Sequence, residues 1–340
     1  MSESSIDIAY ILGAGASFSA GYPLAGGMTD ALRGFVSTLE GRSECRGLYK
    51  VGRSVLQKMT DGGYRTIDEL ALELRSQDDG RVVLHAKAIM TALLLDLERS
   101  TDLRVYRRAM RAMIDPTDLA LPPEGAMRVP TRAVCINYNY DRCLPAAMYM
   151  AIADTRSGRG AETELRVQRL LNSGVSTMSE RIFPIDTTRF ADLRMHGLVG
   201  TQLDDHDSDS PVRGLALDDF GKTAISDSLL TAFDVRRNDL PGTMIFFPWE
   251  KHLPEHVKAL IDATDRAAAA FLSRVKEIRI VGYSMCEMNA SRLDKLLQAA
   301  RNCRVVTVSD PSEDVLKRVD ATFARVGLSP RLIHHRAWDP

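Results

Sequence analysis

The segment Ile6-Asp7-Ile8-Ala9-Tyr10-Ile11-Leu12, followed at once by Gly13-Ala14-Gly15-Ala16-Ser17, constrains this chain more than any other. An apolar run of this length is too short for a packed helix. Bounded by glycine, it reads as a buried strand of a parallel sheet that ends in a tight turn. Gly13 and Gly15 can take backbone angles closed to other residues and let the main chain approach a pyrophosphate, while a following helix would aim free N–H groups at its charge. A strand-to-helix turn with no ligand explains the same glycines, so partners elsewhere in the chain have to decide. The dehydrogenase fingerprint is not met. Phe18 stands where GxGxxG needs its third glycine, and no second apolar strand ending in Asp or Glu follows about 20 residues on.

The last third of the chain supplies a frame for such a turn. Strands are predicted at residues 243–247, 278–281 and 305–308, and helices at 255–273, 289–301 and 312–326. That alternation implies a parallel sheet with right-handed crossovers. Upstream, residues 132–137 read as a strand running into Tyr138-Asn139-Tyr140-Asp141-Arg142, and residues 190–195 as a short strand stopping at His196-Gly197. Helices are predicted at 28–39 and 48–59, at 67–75 behind a Thr66/Glu69 capping box, over the long periodic stretch 82–114, and at 143–153 and 162–171. The expected class is α/β: a Rossmann-like parallel sheet flanked by helices, one domain over 1–340, with helical insertions at about 45–115 and 151–181.

With 340 residues, 45% hydrophobic and 26% charged, the composition is that of a soluble globular protein. A net charge of -1 gives no electrostatic reason to expect nucleic acid or an anionic membrane as partner. Cys45, Cys135, Cys143, Cys286 and Cys303 are scattered without a C-x-x-C pair, which excludes a zinc ribbon by spacing and fits a reducing cytoplasm. The first residues lack the basic segment and apolar run of a signal peptide, and the apolar stretch 86–97 is interrupted by Lys87 and Asp96, short of a membrane span. His252 and His256 have Pro254 between them, and the Asp-rich residues 203–210 lack the glycine and terminal Glu of a calcium loop. No metal and a cytoplasmic location are therefore expected.

Four predicted strand ends carry polar or glycine-rich motifs: Gly13-Ala14-Gly15-Ala16-Ser17, Asn139-Tyr140-Asp141, His196-Gly197 and Gly282-Tyr283-Ser284. In content and order they resemble the sirtuin superfamily, with its GAG turn, Asn-x-Asp, His-Gly and late Gly-x-Ser. The form Tyr-Asn-Tyr-Asp-Arg looks like the bacterial sirtuin-like NAD hydrolases of antiphage defence. The resemblance covers roughly residues 6–310 and extends to residues 245–254, which look like the strand after the sirtuin zinc module. The ribbon itself is missing, since residues 198–241 contain no cysteine. The resemblance thus implies hydrolysis of NAD, as substrate, to nicotinamide and ADP-ribose. A protein deacylase or ADP-ribosyltransferase stands second, and a non-enzymatic module binding NAD or ADP-ribose third.

Residue by residue, the resemblance assigns catalysis to Asn139, His196 and Asp141. An Asn amide can hold a ribose hydroxyl or the attacking water, a His can take a proton near neutral pH, and Asp141 would orient the site. Each has a plainer alternative: helix caps for Asn139 and Asp141, a backbone-bonded neutral imidazole for His196. Gly13, Ala14, Gly15 and Ser17 would meet phosphates or ribose, Gly282 and Ser284 a phosphate or the adenine-side ribose, and Asp310 ribose hydroxyls. Ser309 could replace Asp310, which before Pro311 could simply start a turn. Residues 327–340 are too few for a sensor domain, so restraint of activity is expected from self-assembly into a homo-oligomer, from the inserted helices, or from a separate partner such as a HerA-like ATPase. Residues 82–114, with Leu93 and Leu97, are the expected contact surface.

Overall fold

The structure is a computed structural model and describes residues 7–64, 66–76, 80–113, 133–156, 160–172, 175–176, 181–182, 185–188, 190–203, 212–231, 243–247, 255–285 and 287–338. Among these, six parallel strands form the central sheet: β1 (Ile8–Leu12), β2 (Ala133–Asn137), β3 (Asp192–Arg194), β4 (Glu277–Val281), β5 (Val305–Ser309) and β6 (Arg331–His335). Their order is β3-β2-β1-β4-β5-β6. This is the strand order of the doubly wound dinucleotide-binding fold, and the expected α/β class with a Rossmann-like sheet is what the chain forms.

Alternation along the strands gives each face its own core. Ala9, Ile11, Val134, Ile136, Ile278 and Ile280 pack against the helices Glu255–Leu272, Glu287–Leu297 and Glu313–Arg325, where Phe271 and Phe323 are fully buried. Burial of each such phenyl ring stabilises the fold by about 2–3 kcal/mol. Tyr10, Leu12 and Cys135 turn the other way, onto the helices Met28–Thr38, Arg46–Gly62, Ile67–Ser76, Gly80–Leu97 and Arg104–Met113. Thr66 caps the third of these, its Oγ1 accepting from the Glu69 N–H at 3.1 Å, as its sequence predicts.

Four expectations are corrected. The stretch 82–114 is not one helix: it breaks after Leu97, whose carbonyl accepts Thr101 Oγ1 at 2.9 Å, and Asp102 Oδ1 takes the Arg104 N–H at 2.9 Å to open the next helix. Nor do Leu93 and Leu97 present a contact surface. Every residue of 86–95 is buried, Leu93 included, and Leu97 packs against the same core. A helix buried on all sides over these turns lies inside the domain and not on its face. The sheet does not end with residue 326, because β6 pairs with β5 from Val305↔Arg331 to Ser309↔His335. Its half-exposed sequence, Arg-Leu-Ile-His-His, is that of an edge strand and lacks the apolar run that marks the others. Finally, Thr243–Ile245 is not in the parallel sheet. It pairs antiparallel with Gly197–Leu203, which pairs on its other side with Val212–Gly214. Residues 114, 132 and 248–254 fall outside the described set, as do 204–210 of the Asp-rich loop. Among the described residues no helix is long and apolar enough to cross a membrane.

Candidate active site

The strand order reverses between β1 and β4, the switch point beside which open α/β sheets bind ligands. There the two strand ends are closed on each other. The Gly13 N–H donates to the Val281 carbonyl at 3.0 Å and the Gly15 N–H to that of Gly282 at 2.9 Å. A Cβ on Gly13 would lie 2.6 Å from the Gly282 oxygen, one on Gly15 2.6 Å from Gly282 Cα, and one on Gly282, at φ +55°, 2.3 Å from the Gly15 carbonyl carbon. These glycines are therefore accounted for by backbone meeting backbone, and two N–H groups expected at a phosphate already have protein acceptors. Ala14, Phe18 and Ser284 remain exposed at the rim.

Beyond β2 the segment Tyr138-Asn139-Tyr140-Asp141 continues with alternating sides. Asn139 and Asp141 face the β1 turn. Asn139 Nδ2 donates to the Gly13 carbonyl at 2.9 Å and to Ser17 Oγ at 3.2 Å. Asp141 Oδ2 accepts from Ser17 Oγ at 2.6 Å, while its Oδ1 takes the Cys143 N–H at 2.9 Å and so caps the Cys143–Arg156 helix. Asp141 is both a cap and part of the polar cluster. Ser17, 1% exposed, points inward to Asp141 and to the Tyr106 hydroxyl at 2.7 Å.

Tyr138 and Tyr140 face the end of β3, where their rings flank His196 at centroid distances of 5.2 and 5.6 Å. Tyr283 stacks on Tyr138 at 4.4 Å. His196 Nε2 lies 2.9 Å from Asn289 Oδ1. Burial, and then the Arg292 guanidinium, lower the imidazole to about 4, against the Asn289 side chain and the Tyr138 backbone, whose hydrogen bonds to the ring favour its charged form. At neutral pH His196 is an uncharged ring and a weaker base than the near-neutral imidazole expected from the sequence. The structure thus brings Asn139, Asp141 and Ser17 together on one side of residues 138–141, and His196 with Asn289 on the other.

A supporting layer escaped the sequence reading. Asn137 Nδ2 donates to Asp192 Oδ1 at 3.1 Å while Asn137 Oδ1 accepts the Asn139 N–H at 3.0 Å. Arg194 donates from Nε to Asp192 Oδ2 at 2.6 Å and from Nη1 to the carbonyls of Asp141 at 2.8 Å and Asn139 at 3.3 Å. Burial pushes the Asp192 carboxyl up and the Arg194 guanidinium opposes it. The signal was available: polar residues at alternate positions of a strand buried on both faces need partners. Tyr106 and Asn289 gave no such signal, since each sits within an ordinary helical pattern.

Asp310 takes the plainer of its roles, its Oδ1 accepting the Ser312 N–H at 2.9 Å. Ser309 uses its carbonyl to accept the Gly282 N–H at 3.0 Å, tying β5 to the same turn. Cys45, Cys135 and Cys143 are buried, and burial raises each thiol. Among the described residues no group of three or more His, Cys, Asp and Glu side chains is arranged to hold a metal ion. No family model and no curated protein matches the chain.

Proposed function

We propose that this chain is a sirtuin-like NAD hydrolase that releases nicotinamide and ADP-ribose, an effector of antiphage defence working in the cytoplasm. The observation that carries the reading is the placement of Asn139 and His196 at the carboxyl ends of the adjacent strands β2 and β3, on opposite sides of residues 138–141 and next to the β1/β4 switch point. Nicotinamide leaves NAD as a neutral group from a cationic one, so no general acid is required. Stabilisation of an oxocarbenium-like ribose and an aligned water are required. His196 is the proposed proton acceptor, uncharged at neutral pH but a weaker base than a free imidazole, and an Asn139 amide already fixed by Gly13 and Ser17 suits the role of orienting a ribose hydroxyl or the water. Asp141, through Ser17, holds that amide in place. At the rim, Ala14 and Ser284 are the groups accessible to the pyrophosphate or adenosine side. Homo-oligomerisation, or a separate protein such as a HerA-like ATPase, is the proposed restraint on activity.

Incubating NAD with the purified protein and separating products by chromatography tests this. ADP-ribose formed without an added acceptor is expected; product only with an acylated peptide would point to a deacylase, and binding without turnover to a non-enzymatic module. Asn139→Ala and His196→Ala should each reduce cleavage at least a hundredfold, about what loss of a general base or an orienting donor costs. Near-normal turnover in either folded variant would refute the site.

A further inference from the structure

His196 is gripped by one turn of the Glu287–Leu297 helix. Asn289 and Arg292, three residues apart, share one face of it. Asn289 meets the ring at Nε2, and Arg292 donates from Nη1 to the carbonyl of Met195, the residue just before the histidine, at 2.6 Å. Arg292 is itself fixed by Asp265 of the Glu255–Leu272 helix, with Nε and Nη2 at 2.9 and 2.6 Å from its Oδ1. His196 and Asn289 are each 5% exposed, so the amide and the imidazole must satisfy each other with little help from water. Among the described residues, Tyr138 is hydrogen-bonded to the ring through its backbone, and the rings of Tyr138 and Tyr140 lie against it.

An amide is an uncharged side chain that can partner an imidazole nitrogen in either of its states. Its oxygen accepts from a protonated nitrogen, and after a half-turn its NH2 donates to a bare one. We infer that Asn289 is the positioning residue of His196, holding Nε2 and so keeping the ring aligned between Tyr138 and Tyr140. Its catalytic consequence rests on the NAD-hydrolase reading; its effect on the ring does not.

Two variants separate these. Asn289→Asp offers only acceptor oxygens and a negative charge, which favours the imidazolium. Asn289→Leu fills the same space and offers nothing. In histidine-labelled protein followed by NMR, the His196 titration, about 4 in the native chain, should move up by at least about one pH unit in Asn289→Asp. The acid limb of the kcat profile should move with it. Asn289→Leu should lower kcat by about tenfold to a hundredfold, the usual effect of removing a histidine's outer partner, with KM within about twofold. A His196 titration unchanged in Asn289→Asp would overturn the inference whether or not NAD is cleaved. Absence of NAD cleavage by the native chain, with the titration shifted as expected, would overturn the reaction and leave the positioning role supported. If the Leu variant does not fold, the Asp variant carries the test alone.

Discussion

The ion pair between Glu98 and Arg142 is the contact whose loss should cost this fold most for the fewest atoms changed. Arg142 meets Glu98 through Nε–Oε1 at 2.8 Å and Nη2–Oε2 at 2.7 Å, with side chains 2% and 0% exposed. Its third nitrogen, Nη1, donates to the Leu215 and Ala216 carbonyls at 2.9 and 3.2 Å, and the Gly221 N–H reaches Glu98 Oε2 at 3.3 Å. One guanidinium thus joins the end of the Gly80–Leu97 helix, the extension of β2 and the segment 212–231. Glu98→Gln keeps the shape and one acceptor but leaves the arginine charge buried without its counter-charge. Breaking such a pair costs about 3–5 kcal/mol, a large part of the 5–15 kcal/mol typical of a folded domain.

Urea unfolding at equilibrium reads this directly. With an m of about 3 kcal/mol/M, the midpoint of Glu98→Gln should fall by about 1–1.7 M with m unchanged. Arg142→Met removes the charge together with the Leu215 and Ala216 hydrogen bonds, each carbonyl then costing about 1–3 kcal/mol if left bare. In the double variant no unpaired charge remains, so its loss should be smaller than the sum of the single losses by about 2 kcal/mol or more. A midpoint shift below about 0.3 M for Glu98→Gln, or strict additivity, would refute the view of this pair as a buried, mutually dependent unit.

Two glycines should respond to alanine in opposite directions. Gly282→Ala places a Cβ 2.3 Å from the Gly15 backbone at φ +55° and should cost about 3 kcal/mol or more, whereas a Cβ on Gly34 meets nothing within 4 Å in an exposed helix and should stabilise by about 0.5–1 kcal/mol; thermal melts of both variants check it. Stability should also fall in acid through His196. Its folded value, about 4, lies below the unfolded value near 6.5, so the contribution is fully present above about pH 6.5 and is lost as pH falls through 4, about 3 kcal/mol in all. Denaturant midpoints of the native chain and His196→Gln should therefore converge between pH 7 and pH 4, and parallel curves would contradict the burial argument.

The strand ends were legible because glycine, asparagine and histidine interrupt apolar runs, and a sheet order that follows from α/β alternation sets those interruptions side by side. What the glycines do was not legible. Gly13 and Gly15 carry the same signature whether they approach a phosphate or the β4 backbone, and only the 2.6 Å Cβ distances distinguish the two. The helix at 80–97 misled for a related reason. Its apolar residues satisfy a one-sided pattern, while Lys87 and Thr91, which look like its polar side, are 4% and 5% exposed. Periodicity records which residues are apolar, not whether an inserted layer covers the remaining face. Strand β6 failed in the opposite direction, being an edge strand whose exposed arginine and histidines hide its pairing.

The carboxyl edge of the sheet is held by one device used three times. Arg142, Arg194 and Arg292 each pair with a carboxylate, Glu98, Asp192 and Asp265 respectively. Arg194 and Arg292 also donate to main-chain carbonyls where strands β2 and β3 give way to loops, Arg194 to Asn139 and Asp141 and Arg292 to Met195, while Arg142 donates to Leu215 and Ala216 just after the Val212–Gly214 strand. Loop carbonyls next to a polar cluster have no neighbouring strand to bond and would otherwise need water. A guanidinium answers both needs at once, since its planar set of five donors can grip a carboxylate on one side and a carbonyl on the other. Lysine, a compact charge on a flexible stem, could keep the ion pair without that fixed fork. The carboxylates balance the charge, so three buried or half-buried cations do not repel one another across the edge. Asn139, Asp141 and His196 are therefore placed both by their own hydrogen bonds and by arginines that fix the peptide at or just before each.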